Sequence, residues 1–359
     1  MAKTEFGVNH GLTVKVWSKK LIFETIEATY IKKFMGTSKD SLLYRKDELE
    51  KSAGDRIRCG LRVQLSGAGT LGDETLEGEE EAAQFYYDDL VVNQLRHATR
   101  VAGKVTEQRV PYDLRADNKD ALRDWHADRL DTAFFNQLGG YTPANSDLRY
   151  TGQNSVGAVD SNHIIRARSE GSDASISTAD TFTLSLIDQC VVKAKTLRQA
   201  NGLPIIRPLK IDGGDHYVMF LHPYQVKAMR TSTNSGDWLD IQKAATSGGE
   251  KSKNAIFTGA LGMYNNVILH EAVRVPPGIN SGGTDAQSNT RRAIFCGAQA
   301  GLIGYANSEN GEKMSWFEEL FDYGNQFGVA AGYIGGLKGT FFNGSAYGRI
   351  IVPTYASAS

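Results

Sequence analysis

Strict alternation of polar and apolar residues over 56–65 predicts a β-strand with one wet face. Residues 71–89 follow it with eight acids and neither lysine nor arginine, and residues 90–101 have the pattern of a return strand. The pattern therefore predicts a long β-hairpin with an acidic, glycine-rich tip. One face of its first strand carries Arg56, Arg58, Arg62 and Gln64, and the other Ile57, Cys59, Leu61, Val63 and Leu65.

Helical periodicity marks three further segments. Residues 111–138 predict the strongest helix, with Pro111 near its start and Gly139-Gly140 at its end. Its charges cover most of the circumference and its apolar face is discontinuous, so we expect a helix that spans a surface without entering a core. Residues 12–35 predict a helix behind a mobile arm (1–11), and residues 181–197 predict another.

The second half of the chain mixes strands with a helix. The apolar runs at 216–221, 265–275, 291–306, 316–342 and 349–356 predict strands, and the segment that begins HPYQVKAMR at His222 predicts a turn into a helix. With no repeat and no low-complexity tract, the predicted class is α+β.

Composition limits the function without naming it. The chain has 359 residues, 41% hydrophobic and 23% charged, with a formal net charge of −1. These values are ordinary for a globular protein and give no general attraction to nucleic acid or to a membrane surface. The three cysteines form no C-x-x-C pair and the first residues lack a signal-peptide pattern, so we expect folding in a reducing cytoplasm.

The hairpin contains one apparent cofactor motif. Gly67, Gly69 and Gly72 have the G-x-G-x-x-G spacing of a dinucleotide-binding loop. However, the strand before them alternates, whereas a dinucleotide-binding first strand is buried on both faces. The segment after them, GDETLEGEEE, would repel a pyrophosphate. A dinucleotide-dependent oxidoreductase therefore remains only a remote alternative.

No other motif predicts an active site. The pair His270-Glu271 begins like the zinc motif H-E-x-x-H, but Arg274 stands where the second histidine would be. We predict no catalytic residue, no cofactor-binding residue, no metal ligand and no enzymatic activity. A mobile arm, a long hairpin and a long surface helix cannot all be buried on one subunit, so they favour a protein whose neighbours bury them.

The order of these elements resembles the major capsid proteins of tailed bacteriophages, whose fold is shared with encapsulins and the herpesvirus capsid floor. Several strings are similar to the N-four-like podovirus branch: LTVKVWSKKL, LSGAG with LEGEEE, QLRHATR, EQRVPYDLR, MFLHPYQV, TGALGMYN and FDYGNQFGV. They run from residue 12 to about 329. The resemblance implies an N-terminal arm (1–51), an extended loop (52–104), a peripheral domain (105–179) with a spine helix (111–138), an axial domain (180–310), and return strands of the peripheral domain with the C-terminus (311–359).

The resemblance also implies a function. Such proteins assemble with copies of themselves, as pentamers and hexamers, into an icosahedral head that encloses double-stranded DNA without sequence specificity. The implied location is the virion, after assembly in the host cytoplasm and without membrane contact, and scaffold, portal and decoration proteins are possible further partners. An encapsulin-like compartment is the alternative. Some relatives cross-link their shells through a lysine of the extended loop, but residues 65–90 contain no lysine.

We expect the hairpin tip to be an inter-subunit site. Its acids would meet arginines of a neighbouring subunit, because tip and stem carry opposite charges. Its glycines would let one loop sequence fit several lattice environments. The predicted tip residues are Gly67, Gly69, Gly72, Asp73, Glu74, Glu77, Glu79, Glu80 and Glu81, and the candidate partners are Arg56, Arg58, Arg62, Arg96 and Arg100.

Overall fold

A computed structural model of the protein describes residues 24–25, 29–46, 55–62, 65, 67–73, 75–111, 113–143, 148–201, 203–211, 213–232, 255–257, 259–280, 286–306 and 314–358. The predicted arm and most of the predicted helix 12–35 lie outside these residues. The last part of that prediction is wrong, because Tyr30–Phe34 form a short 3-10 helix and Met35–Gly36 a strand.

Four α-helices and seventeen strands make up the described fold. The helices are α1 (Lys104–Arg109), α2 (Leu114–Gly139), α3 (Leu184–Asn201) and α4 (Pro223–Ser232). The strands are β1 (Met35–Gly36), β2 (Leu43–Lys46), β3 (Arg56–Arg62), β4 (Phe85–Val91), β5 (Asn93–Arg100), β6 (Leu209–Ile211), β7 (Gly214–Leu221), β8 (Ala260–Tyr264), β9 (Val267–Glu271), β10 (Pro277–Ile279), β11 (Ala286–Cys296), β12 (Gly301–Ala306), β13 (Met314–Phe321), β14 (Gln326–Gly339), β15 (Phe341–Phe342), β16 (Ser345–Ala346) and β17 (Arg349–Tyr355). The α+β class is confirmed.

A six-stranded sheet is built around the long strand β14. β5 pairs antiparallel along one edge of β14, while β12 and β13 pair along the other. β2 pairs with β12 and β1 with β2, both parallel. β14 is rich in glycine and alanine, which lets other backbone approach it: a Cβ at Gly336 would lie 2.1 Å from the carbonyl oxygen of Val91.

A seven-stranded sheet contains the most apolar segments. β7 pairs parallel with β9 and antiparallel with β11, and β17 pairs with the other edge of β11. Alternate residues of these strands enter two different cores. Phe220 and Ile294 pack toward α2, whereas Met219 and Phe295 pack toward α3 and α4. A sheet covered on both faces explains why these strands are continuously apolar.

The strand pairing crosses the predicted boundary at residue 310. β12 lies before that boundary but pairs with β14, and β17 lies after it but pairs with β11. Both sheets therefore contain strands from before and from after residue 310. The division of the chain into domains remains a prediction, since strand pairing alone does not define domains.

The predicted hairpin has a different return strand. β3 pairs with β4, with Arg56 opposite Val91 and Arg62 opposite Phe85. The prediction of a return strand at 90–101 is wrong, because β5 leaves the hairpin and joins β14. That pairing joins residues more than 200 positions apart, which no local pattern reveals.

Helix α2 begins and ends nearly where its sequence predicts. The carboxylate of its N-cap, Asp113, accepts from the backbone N–H groups of Arg115 and Ala116, and Gly140 ends the helix in a left-handed conformation. The expectation of a helix lying on a surface is wrong for its C-terminal part. Residues 133–139 are all buried, and the polar side chains among them bond to backbone groups of the loop at 150–154.

Replacing Gly140 by alanine should destabilise the protein by about 1–3 kcal/mol. The residue has φ +64°, and a Cβ would lie 2.8 Å from Cγ2 of Val159, so strain and a clash add together. Gly213→Ala is the matched control: its φ is +82°, but nothing lies within 4 Å of the added Cβ. Thermal unfolding of both variants measures the difference in stability. Equal losses of stability would show that the clash with Val159 does not contribute.

Acid should destabilise the fold through its buried histidines. The Nε2–H of His126 donates to the carbonyl of Ala331 at 3.3 Å, while Nδ1 is buried without a partner. Burial lowers the pKa of His126 to about 4, and that of His270 to about 3. The unfolded chain therefore binds more protons, so this stability is complete above pH 6.5 and is lost as the pH falls toward 4.

As the pH falls from 6.5 to 4, His126 alone should lower the free energy of unfolding by on the order of 3 kcal/mol. Urea unfolding at pH 7.0, 5.5 and 4.5 measures it. His126→Gln should flatten the pH dependence, whereas His97→Gln, at an exposed histidine stacked on Trp125, should leave the slope nearly unchanged. A wild-type stability that is constant between pH 7.0 and 4.5 would refute the prediction.

Candidate inter-subunit hairpin

The hairpin stem has one face on the protein and one face outward. Ile57, Cys59 and Leu90 are buried and pack with Val92 and Leu302. The arginines alternate with them on the exposed face, as the sequence predicts. Arg58 is bound within the chain: its Nε and Nη2 donate to the carboxylate of Asp89 at 2.7 and 3.0 Å, and its guanidinium lies 4.2 Å from the ring centre of Tyr87.

The base of the hairpin is anchored by a nearly buried carboxylate. Asp88 forms an ion pair with Lys338 through Oδ1 and accepts the backbone N–H of Phe341 at 3.0 Å through Oδ2. Lys338 also donates to the carbonyl of Asp89 at 3.1 Å. The stem is thereby tied to the end of β14, which fixes where the hairpin leaves the sheet.

A second anchor connects β4 to helix α2. The side chain of Asn154 accepts from the N–H of Val91 at 3.0 Å and donates to its carbonyl at 2.9 Å, so it completes the strand edge. Gln137 of α2 donates to the carbonyl of Asn154 at 2.7 Å and accepts the N–H of Gly339 at 3.2 Å. Stem, helix and central strand therefore share one hydrogen-bonded junction.

The sequence does not reveal these anchor residues. Asn154 and Gln137 have no motif around them, and Lys338 is a single charge in a glycine-rich strand. The sequence offers one weak signal: Gln137 and Lys338 are polar residues in a mostly apolar helix end and a mostly apolar strand.

The tip of the hairpin, defined as residues 65–84, projects from its own chain. Nearly all its described residues are exposed, including Leu71 at 79% and Leu76 at 57%. Gly69, Gly72 and Gly78 have positive φ, and a Cβ on any of them would have nothing within 4 Å. Two of the predicted acids make local bonds: Glu81 accepts from the N–H of Gly67 at 2.6 Å, and Glu80 from that of Gly78 at 2.8 Å.

The predicted site residues thus occupy three places. The tip holds the glycines and the acids Asp73, Glu77, Glu79, Glu80 and Glu81, while Glu74 lies outside the described residues. Arg56, Arg58 and Arg62 lie on β3 of the stem. Arg96 and Arg100 are exposed on β5 of the six-stranded sheet, where Arg100 lies 4.1 Å from the ring centre of Phe321. Among the described residues of the single chain, no ion pair joins a tip acid to any of these arginines, and Arg58 pairs with Asp89 instead.

The glycine motif lies in this tip, where β3 enters a loop and β4 follows. A dinucleotide site requires a helix after the glycines, which the described part of the tip does not contain. No group of three or more metal-ligating side chains occurs among the described residues. None of the helices within the described ranges combines the length and the apolar character needed to cross a membrane.

A two-sheet body with an anchored, projecting hairpin is the architecture expected of a subunit whose neighbours cover the projection. Comparison with known proteins identifies which kind. The chain matches the family described as phage capsid protein over residues 5–358, and it belongs to that family. It is 29% identical over 358 residues to the major capsid protein of Pseudomonas phage KPP25, covering 91% of this chain and 89% of the relative.

Solved structures of phage capsids resemble this chain over nearly its whole length. The capsid of Ralstonia phage GP4 is 33% identical, with a TM-score of 0.82 and 99% of each chain covered. The capsid of cyanophage Pam1 is 18% identical, with a TM-score of 0.69 and coverage of 100% of this chain and 97% of that one, and shows the same fold. The tailed-phage capsid fold and the function are confirmed: the chain is the major capsid protein of a bacteriophage, a structural protein of the virion that assembles into the capsid.

Proposed function

We propose that this capsid protein forms the pentamers and hexamers of an icosahedral head around double-stranded DNA, and that the hairpin tip docks on a neighbouring copy. The observation that carries the proposal is a hairpin anchored at its base whose tip, residues 65–84, is exposed. Leu71 and Leu76 would be costly to leave in water, and a neighbour that covers them gains their apolar burial.

Charge complementarity supports a basic receiving surface. The tip 65–84 contains six acids and no basic residue. Arg58 already pairs with Asp89 of its own hairpin, so it is a weaker candidate than the rest. Arg96 and Arg100 are exposed on β5, an edge strand of the six-stranded sheet. We favour them as the principal partners of the tip acids, and Arg56 and Arg62 would add positive charge to the attraction. Each exposed pair contributes only about 0.2–1 kcal/mol, and repetition over a shell makes the sum large.

Scaffold, portal and decoration proteins are proposed as further partners, and the packaged DNA as a non-specific one. A net charge of −1 supports weak contact with DNA, because tight binding of phosphates requires a large excess of lysine and arginine. An encapsulin-like compartment is the weaker alternative: the matching family and the relative at 33% identity are both of phage capsids.

Expression followed by negative-stain electron microscopy tests the proposal. The chain should form closed icosahedral shells, either alone or with a co-expressed scaffolding protein of its phage. Small unassembled species under both conditions would refute it. Particles from infected cells should contain nuclease-protected double-stranded DNA; particles filled with a protein cargo would favour the compartment.

A further inference from the structure

Arg349 is an arginine enclosed where the two sheets meet. It begins β17 of the seven-stranded sheet and its side chain is completely buried. Nη1 donates to the carbonyls of Ala300 and Thr340, at 3.1 and 3.2 Å, which flank β12 and β14 of the six-stranded sheet. The guanidinium lies 4.6 Å from the ring centre of Phe341, and a Cβ on Gly339 would come within 2.5 Å of Nη1.

The other edge of this guanidinium has no partner. Nε and Nη2 are both buried and without a hydrogen bond. These two atoms form the fork with which arginine binds an anion side-on. The same fork of Arg58 holds Asp89, and that of Arg115 holds Glu318 at 2.7–2.9 Å. In Arg349 the fork faces inward, and no described residue accepts from it.

The two carboxylates with an electrostatic effect on Arg349 already have other partners. Asp88 and Asp160 act on Arg349 only through space. Asp88 binds Lys338 and Phe341, and Asp160 binds Nδ1 of His163 at 2.6 Å. Burial lowers the pKa of Arg349 to about 10, so the group is still charged at neutral pH. A buried cation with two unused donors is unfavourable unless a ligand neutralises it.

We propose that the Nε–Nη2 fork of Arg349 binds a small inorganic anion of the size of chloride. Arg349 is completely buried and packed against Gly339 and Phe341, and such close packing disfavours a tetrahedral anion, which is larger than a monatomic one. The hydroxyl of Thr340, the residue whose carbonyl accepts from Nη1, is also buried without a partner and is a further unused donor at this junction. The anion neutralises the residue that joins β17 to β12 and β14, and so strengthens the junction of the two sheets.

Thermal unfolding of assembled capsids in potassium chloride and in potassium gluconate, at equal ionic strength, tests the site. A ligand that binds only the folded state raises Tm with the logarithm of its concentration, by about 2 °C per tenfold increase for a chain of this size. Chloride should do this and gluconate should not, whereas general screening would act equally in both salts. Equal responses would overturn the proposal.

A variant pair isolates the fork. Arg349→Met should abolish the difference between the salts, and Arg115→Met, which removes a fork filled by Glu318, should retain it. If Arg349→Met does not fold, the comparison of chloride and gluconate on the wild-type capsid still tests the proposal. A cryo-EM difference map between capsids equilibrated in bromide and in chloride should show a peak between Nε and Nη2, and a map without that peak would refute the site.

Discussion

Reversing the charge of the hairpin tip should stop capsid assembly while leaving the fold of the chain intact. The triple variant Asp73→Lys, Glu77→Lys, Glu79→Lys removes three exposed acids that make no side-chain bond within the described chain. Each reversal turns an attraction into a repulsion of similar size, about 0.2–1 kcal/mol per contact, and it occurs at every copy of the interface. We expect shell yield to fall at least tenfold.

The response to salt and a compensating variant make the expectation specific. Neutral glutamine or asparagine replacements should give an intermediate yield, and assembly of the wild type should weaken with ionic strength. Adding Arg96→Glu and Arg100→Glu to the triple variant should restore shells, because the charges are exchanged between tip and β5. Yield is measured by sedimentation and electron microscopy, and unfolding of the unassembled chains controls for the fold.

Two results would count against this picture. Shells formed by the triple variant with normal yield would show that tip charge does not contribute to assembly. Failure of the exchanged charges to restore shells, with the fold preserved, would instead place the acceptor elsewhere, and Arg56 and Arg62 would be the next residues to reverse.

Truncating Phe220 should be the most damaging single change to the fold. Its side chain is fully buried on β7 and meets the rings of Phe34, Phe134 and Phe135 edge-on, with ring centres 4.9–5.8 Å apart. Phe220→Ala removes these contacts and leaves a cavity between sheet and helix, at a cost of about 3–5 kcal/mol. Because the seven-stranded sheet and α2 lose their shared core, soluble protein should fall sharply.

Phe317→Ala is the matched control. This phenylalanine lies on β13 and is 53% exposed, so its loss should change the unfolding free energy of the unassembled chain by no more than about 0.5 kcal/mol. Chemical denaturation of both variants measures the contrast. A loss below 1 kcal/mol for Phe220→Ala would mean that the surrounding rings collapse into the space and that the aromatic cluster is not rigid.

Local sequence pattern determined the elements whose signals are local. Alternation at 56–62 predicted β3 with its arginines outward, Pro111 and Gly139-Gly140 marked the approximate ends of α2, and continuous apolar runs marked β7 and β9. The short sequence strings between residues 12 and 329 were enough to indicate the capsid family. Relatives that share a fold also share such short strings in the same order along the chain.

Only the tertiary structure decided how those elements meet. The pairing of β5 with β14, the burial of the end of α2, and the anchors at Asp88 and Asn154 depend on residues far apart in the chain. Docking of the acidic tip on a neighbouring copy stays a prediction. The tip is exposed in the single chain, so the surface proposed to cover it would belong to another copy, and contacts between copies form only on assembly.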